Sequence, residues 1–578
     1  MNPTRPTARP ALRARLCALV CFSAMLAGTG IALAGPPEPA PEARAFMGEE
    51  KYAEAAEALR AYLKTNPYDG AAWADLGYSL HAVKRYDEAI PAYAKAIELG
   101  SHPETQMYNT ACAHALSGRA DDAIAWLTRS FENRFAEQRT LEGDTDLDSL
   151  RADPRFIALT GLNPPEEPDR AKRWAWDLDF MVRRMEQMHW DLYGRVSKSA
   201  FSGEIAKLKA DVPKLTDAQV RVRLMKLAAM VGDGHTGLAS AAVGQATIAR
   251  YPLHLFLFAD GLHVIGAPPE HAALVGARVL KVGPLDTDAA VEAVKPYLSV
   301  DNAMGYAAGA PARLVNPDVL AAIGAVADGG GVGAGGCEYT LRTAKGERVA
   351  VRLSPSDLPS GGSGGMFTPG YTYVHDSLAK PPLYLRERDQ RLWAEFVPDQ
   401  KLVYARFAAV GNTPGGPTLA DFAANLTKLV EENSAERLVL DMRFNGGGNT
   451  GLLPPLLLAL IKSERINRPG HLFVVIGRHT FSAAQNGVNM LEDTTSATFV
   501  GEPTGSSPAF IGESTFVLLP YSKLRMHCSS RYWQWGDSTD RRTWVQPQIA
   551  APPTFAAYTA GKDDAMEAIG AHLPETRP

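Results

Sequence analysis

The hydrophobic pattern along the chain changes character three times. From residue 42 to residue 162 apolar positions recur at helical spacing, and small residues return at fixed intervals. Asn163-Pro164-Pro165 breaks that pattern and marks a boundary. From Asp169 to Met230 the pattern is helical again, with Trp176, Leu178, Met181 and Met185 on one face. From Tyr251 to Leu353 it turns into short strands, as in Leu255–Phe258 and Gly276–Val282. Asp328–Gly336 and Pro359–Gly365 are glycine-rich and read as flexible loops. From Leu383 onward apolar strands (Val403–Phe407, Leu438–Asp441, Leu472–Ile476) alternate with helices (Asp421–Val430, Ala483–Leu491), which predicts an α/β core.

The first helical region is periodic. Ala55, Ala89 and Ala123 stand 34 residues apart (89 − 55 and 123 − 89), and Leu59, Tyr93 and Leu127 keep the same register. In the companion helices Trp73, Leu76 and Gly77 match Met107, Thr110 and Ala111. Small residues fall where two helices touch and large ones where a groove must be filled. This resembles the tetratricopeptide repeat, with two to three repeats over about Glu42–Phe156 in a region reaching residue 162. Such arrays present a concave surface suited to a protein partner.

The chain start changes the picture of location. Arg5, Arg9, Arg13 and Arg15 precede an apolar run that ends in Ala32-Leu33-Ala34. That pattern predicts a signal peptide over residues 1–34, cleaved before Gly35, with a retained anchor as the other reading. Export points to a periplasmic or secreted protein of bacterial type. No later segment is apolar and long enough for a helical span, so no stable membrane span is expected after cleavage. The formal net charge of -5 gives no basic footprint for nucleic acid. Of five cysteines, Cys112, Cys337 and Cys528 remain after the signal; they form no zinc pattern, and Cys112 reads as a small core residue. No HExxH spacing occurs, and neither metal nor cofactor is expected.

Three segments carry candidate chemistry. In Gly232-Asp-Gly-His-Thr236 glycines flank a histidine at the end of a helix, so the backbone can turn and expose the ring. Asp441-Met-Arg-Phe-Asn-Gly-Gly-Gly-Asn449 follows a strand and offers Gly446 and Gly447 as backbone oxyanion donors. Gly477-Arg-His-Thr-Phe-Ser-Ala-Ala-Gln485 puts Ser482 after a strand and at the head of a helix, where the Ala483 N–H is a further donor. Singly, each has an ordinary structural reading: a turn, an N-cap serine, a satisfied histidine.

Together, and with Phe499–Gly505 and Arg531–Trp533, these runs resemble the C-terminal-processing (tail-specific) serine protease family, in the branch of the tricorn core and the interphotoreceptor retinoid-binding protein. The resemblance covers about Asp169–Ala571. It implies Ser482 as nucleophile and His235 as general base of a peptidase acting on protein or peptide. It also implies a helical part over 169–245, a degenerate PDZ-like module over 246–355 and a ClpP/crotonase-like catalytic core over 381–571. The Ser–Lys branch has a lysine in the segment that here reads Val500–Ser507, where none stands. The acidic helper of the histidine branch falls on Asp540, with Asp537 behind it. His479 is a second candidate base, and Arg443 and Glu502 are candidate structural partners near the cleft. An unperturbed histidine base would put the acid limb of activity near pH ~6.5. The family also contains a carrier of hydrophobic ligands, so a non-catalytic ligand-binding or interaction scaffold is the alternative.

Overall fold

The computed structural model describes residues 40–135, 138–239, 247–326, 336–359 and 367–572. The signal segment and most of both glycine-rich loops lie outside these residues. The chain divides into two compact units, Met1–Glu166 and Glu167–Pro578.

The first unit opens with six helices in succession: α1 (Pro41–Gly48), α2 (Tyr52–Thr65), α3 (Gly70–Ala82), α4 (Tyr86–Glu98), α5 (Pro103–Leu116) and α6 (Ala120–Glu132). The repeated alanines Ala55, Ala89 and Ala123 are fully buried, as are Leu59, Tyr93 and Leu127. Gly77 shows why a small residue is needed where helices touch: a Cβ there would come within 2.5 Å of the Tyr93 ring. Asp69 caps α3 by accepting the Ala72 N–H at 2.9 Å. A short turn, Thr145–Leu150, packs Leu147 and Leu150 into the last part of this core. It is held to the preceding helices by polar contacts. The Tyr108 hydroxyl donates to Asp144 at 2.7 Å, Cys112 Sγ lies 3.6 Å from the same oxygen, and His81 Nε2 lies 2.9 Å from Asp146.

The second unit opens with α7 (Arg170–Met188), α8 (Lys198–Asp211) and α9 (Asp217–Val231). Trp174, Leu178, Met181 and Met185 are buried on α7, whereas Trp176 is only partly so. Helix α9 begins in a capping box of Thr216 and Gln219 and ends at Gly232, whose φ of 82° is left-handed. Strand β1 (Gly237–Leu238) follows the histidine motif directly. Next comes an antiparallel sheet of β2 (His254–Phe258), β3 (Gly261–Ala267), β4 (Arg278–Val282), β5 (Cys337–Arg342) and β6 (Arg348–Leu353). Its main path runs from Thr372–Tyr373 through β3, β4 and β5 to β6, with β2 paired to β3.

The α/β part is built on β7 (Leu392–Val397), β8 (Leu402–Phe407), β9 (Arg437–Asp441), β10 (Leu472–Ile476) and β11 (Thr498–Gly501). These strands lie side by side in that order, antiparallel only between β7 and β8. Their near-continuous apolar runs are what a sheet covered on both faces requires. Leu438, Leu440, Leu472 and Val474 face one core with Leu426 of α10 (Leu419–Glu432) and Val488 of α12, defined below. Val439, Phe473 and Val475 face the other, with Tyr558 and Ile569. Each such side chain contributes roughly 1.5–3 kcal/mol by burial. Helix α11 (Pro454–Lys462) packs into the first core, and α12 (Ala483–Thr494) continues from the loop after β10. The last long elements, β12 (Ala509–Leu518) and β13 (Arg525–Gln534), pair antiparallel, and β1 adds to β13. That pairing brings the histidine motif, distant in sequence, to the serine segment.

Candidate active site

Ser482 occupies a sharp turn between β10 and α12. Its φ of 57° and ψ of -126° are strained for a residue with a side chain. A serine held this way projects its hydroxyl from the head of a helix. The surrounding loop pins it. The Phe481 N–H donates to the Asn445 carbonyl at 3.0 Å, and the Thr480 hydroxyl donates to the Met442 carbonyl at 2.9 Å. The Ser482 N–H itself donates to Ser506 Oγ at 3.2 Å.

The glycine loop after β9 lies against this turn. Gly447, with φ 104°, leaves no room for a side chain: a Cβ there would fall 2.7 Å from Ser482 Cβ. Its N–H, expected to face substrate, is committed to Asn445 Oδ1 at 3.0 Å. This corrects the expectation that Gly447 is an oxyanion donor. An Asx turn has claimed its hydrogen, and Gly447 serves through the space it leaves. Among the described residues, the N–H groups of Gly446 and Ala483 meet no acceptor. Ala483 opens α12, where the helix dipole adds positive potential.

The histidine loop is organised by Asp233, which is buried. Its Oδ1 accepts from the N–H groups of His235 (2.9 Å) and Thr236 (2.6 Å) and from the Ser529 hydroxyl (2.6 Å). Its Oδ2 lies 2.9 Å from His189 Nε2. Because His189 Nδ1 accepts the Asp191 N–H at 3.0 Å, Nε2 carries the proton and donates to Asp233. Burial pushes the Asp233 carboxyl up, but the bonds from His189 and Ser529 hold it below the usual carboxylate range.

The His235 ring is stacked between Phe481 (centroids 4.5 Å apart) and Phe510 (5.5 Å). Burial in this sandwich pulls its pKa down to about 4, against the opposing influence of the Asp233 charge and the Ile511 backbone. The imidazole is therefore neutral at ordinary pH, as a proton acceptor must be, and the acid limb expected near ~6.5 from an unperturbed ring is displaced downward. Neither ring nitrogen makes a hydrogen bond among the described residues.

Asp540 does not meet this ring. Its carboxylate accepts from the Arg542 N–H at 2.9 Å and from the Arg542 guanidinium, which also pairs with Glu492 of α12. An adjacent arginine has taken the charge, and the expectation of Asp540 as acidic helper is corrected accordingly. Asp537 caps the same exposed turn through Thr539. Arg443 lies partly buried between the buried Asp441 and Asp563, with a two-pronged bond to Asp563 at 2.9 and 2.8 Å. Glu502 is tied to Arg478 in a second buried pair. His479 faces Phe256 and Phe444 beside a small cavity of about 50 Å³ lined by aromatic side chains, and burial lowers its pKa to about 4.

Residues that sequence reading did not single out complete the site. Asp301 accepts from the Gly234 N–H at 2.7 Å and from the Ser506 hydroxyl at 2.8 Å. Asp233 and Phe510 stood inside or beside quoted motifs, but nothing in the local pattern marks Asp301 or His189.

The tetratricopeptide repeat family model matches residues 41–104. Among solved structures, mature CPAF complexed with lactacystin is similar with a TM-score of 0.50 at 14% identity, over 69% of this chain and 97% of that one. The photosystem II D1 C-terminal processing protease (14% identity, 68% and 96% covered, TM-score 0.33) and the tricorn protease (12%, 71% and 37%, TM-score 0.34) are looser matches. No curated protein matches the chain. The chain is thus a tetratricopeptide array followed by a mixed helix and sheet fold of the CPAF type. No helix among the described residues is long and apolar enough to cross a membrane.

Proposed function

We propose that the chain is an exported serine endopeptidase, periplasmic or secreted, acting on protein or peptide substrates. The observation that carries this reading is the strained turn of Ser482 at the head of α12, packed on Gly447, with the His235 ring stacked on the residue before it. Ser482 Oγ attacks the substrate carbonyl carbon and its proton passes to His235. The C–N bond breaks, the imidazolium returns the proton to the leaving amine, and water then hydrolyses the acyl-enzyme. The N–H groups of Gly446 and Ala483 hold the oxyanion. To reach Ser482 Oγ the imidazole shifts within its aromatic sandwich, a tightening common when substrate binds. No cofactor takes part. On this reading the β2–β6 sheet is a degenerate PDZ-like module, the β7–β11 part a ClpP/crotonase-like core, and the repeats a recruiting surface for a protein partner.

The test is labelling of the full chain by a fluorophosphonate. Ser482→Ala should abolish it, His235→Ala should remove most of it, and the double variant should be little worse than either. Near-normal labelling of His235→Ala would sink the assignment of the base and send the search to His479. A second reading, a carrier of hydrophobic ligands, draws on the aromatic cavity lined by Phe256, Phe258, Tyr384 and Phe444. Absence of labelling together with saturable binding of an environment-sensitive apolar dye would favour it.

A further inference from the structure

We infer that Asp301 is a positioning residue that locks the loop carrying His235 to the turn carrying Ser482. The inference rests on the serine-peptidase reading. Asp301 stands just before the helix Ala303–Arg313 and is only 8% exposed. One oxygen accepts the Gly234 N–H at 2.7 Å, the other the Ser506 hydroxyl at 2.8 Å. Ser506 Oγ in turn accepts the Ser482 N–H at 3.2 Å. A single carboxylate therefore spans from the residue beside the base to the backbone of the nucleophile.

The surroundings fix this bridge from several sides. Gly234 can approach only because it lacks a side chain; a Cβ would fall 2.7 Å from the Phe481 ring and 3.1 Å from Asp301 Oδ1. Asn302 Nδ2 donates to the carbonyls of Thr504 (3.1 Å) and Thr543 (2.7 Å), anchoring the segment to the loop that carries Ser506. Arg195 Nη1 donates to the Gly232 carbonyl at 2.6 Å and reaches the Asp301 carbonyl at 3.4 Å.

Both Asp301 oxygens act as acceptors, so the bridge is strongest with the carboxylate. A proton on Oδ1 would oppose the Gly234 N–H, and one on Oδ2 would reverse the second bond, the acid donating to Ser506 Oγ and turning the serine hydrogen out of the bridge. In either case the charge is lost, the ties fall from charge-assisted to neutral strength, and the brace on the strained Ser482 backbone loosens. Burial, the largest influence, raises the Asp301 pKa to about 6; the Asp233 charge adds to it, while the bonds from Gly234 and Ser506 and the charge of Arg195 oppose. His235 stays neutral down to about 4. The competence of Ser482 therefore falls in two acid steps, the upper one belonging to Asp301.

The experiment follows the second-order rate of Ser482 labelling by a fluorophosphonate on the full chain, from about pH 4 to about pH 8. The wild-type rate should drop as pH falls through about 6. Asp301→Asn, which keeps the span with a neutral group, should label about tenfold more slowly above that pH and lose the upper step. Ser506→Ala leaves the carboxylate but cuts its link to Ser482, and should slow labelling about tenfold. A purely structural Asp301 would lower the melting temperature without moving the pH profile. Persistence of the upper step in Asp301→Asn, or labelling at the wild-type rate, would overturn the inference. If Asp301→Asn does not fold, Ser506→Ala decides, and an unchanged rate and profile there would overturn it. Failure of the wild type to label at Ser482 would be a different result, removing the peptidase reading itself.

Discussion

Gly447 lies directly against Ser482: a Cβ on the glycine would sit 2.7 Å from the serine Cβ and 2.9 Å from the Ala483 nitrogen. Its φ of 104° would also strain any side chain. Gly447→Ala is therefore expected to displace the turn that carries Ser482. Fluorophosphonate labelling of Ser482 should fall about 100-fold. Stability should fall by roughly 1–3 kcal/mol. Unchanged labelling would mean that the turn is looser than its packing implies.

Phe510 forms one wall of the sandwich around His235. Burial is the main reason the imidazole titrates at about 4. Phe510→Ala should rehydrate the ring and raise its pKa by about one unit or more toward ~6.5. Histidine-selective NMR titration, assigned with His235→Ala, would measure it. The linkage has a definite sign. The unfolded chain binds the proton between about 4 and ~6.5 and the folded chain does not, so this group makes stability rise with pH across that window. The variant should narrow the window from below.

Arg443 holds two buried carboxylates, Asp441 and Asp563. Arg443→Met should strand both and destabilise the second unit by about 3–5 kcal/mol. Arg443→Lys should recover only part, because an ammonium cannot reproduce the two-pronged bond to Asp563. The unit at Glu167–Pro578 is the one whose melting should shift, read by calorimetry as a separate transition.

Removing residues 42–162 should leave fluorophosphonate labelling of Ser482 unchanged, since every residue of the proposed chemistry lies in the second unit. Cleavage of a protein substrate should weaken if the repeats recruit it. Loss of labelling as well would show that the repeats support the catalytic fold.

The repeats were legible because their physics is local. A small residue at each helix contact and a large one in each groove recur with the repeat, so Ala55, Ala89 and Ala123 could be aligned without coordinates. The strands β9 and β10 were legible because a sheet covered on both faces demands unbroken apolar runs. Trp176 shows the limit of such reasoning. Periodicity places it on the buried face of α7, yet Trp174 is the more buried of the two.

The sequence by itself determined which segments are candidates for chemistry, because a glycine loop after a strand, a serine at a helix head and a histidine between glycines each depend on near neighbours. The tertiary structure alone decided the partners of those groups. Gly234 meets Asp301 across 67 residues and Asp301 meets Ser506 across 205. Asp540 turns to Arg542, two positions away, and not to His235. A side chain's own periodicity says which face it occupies. Which polar group desolvates beside it depends on how distant segments cross, and a buried carboxylate keeps whichever donors that crossing supplies.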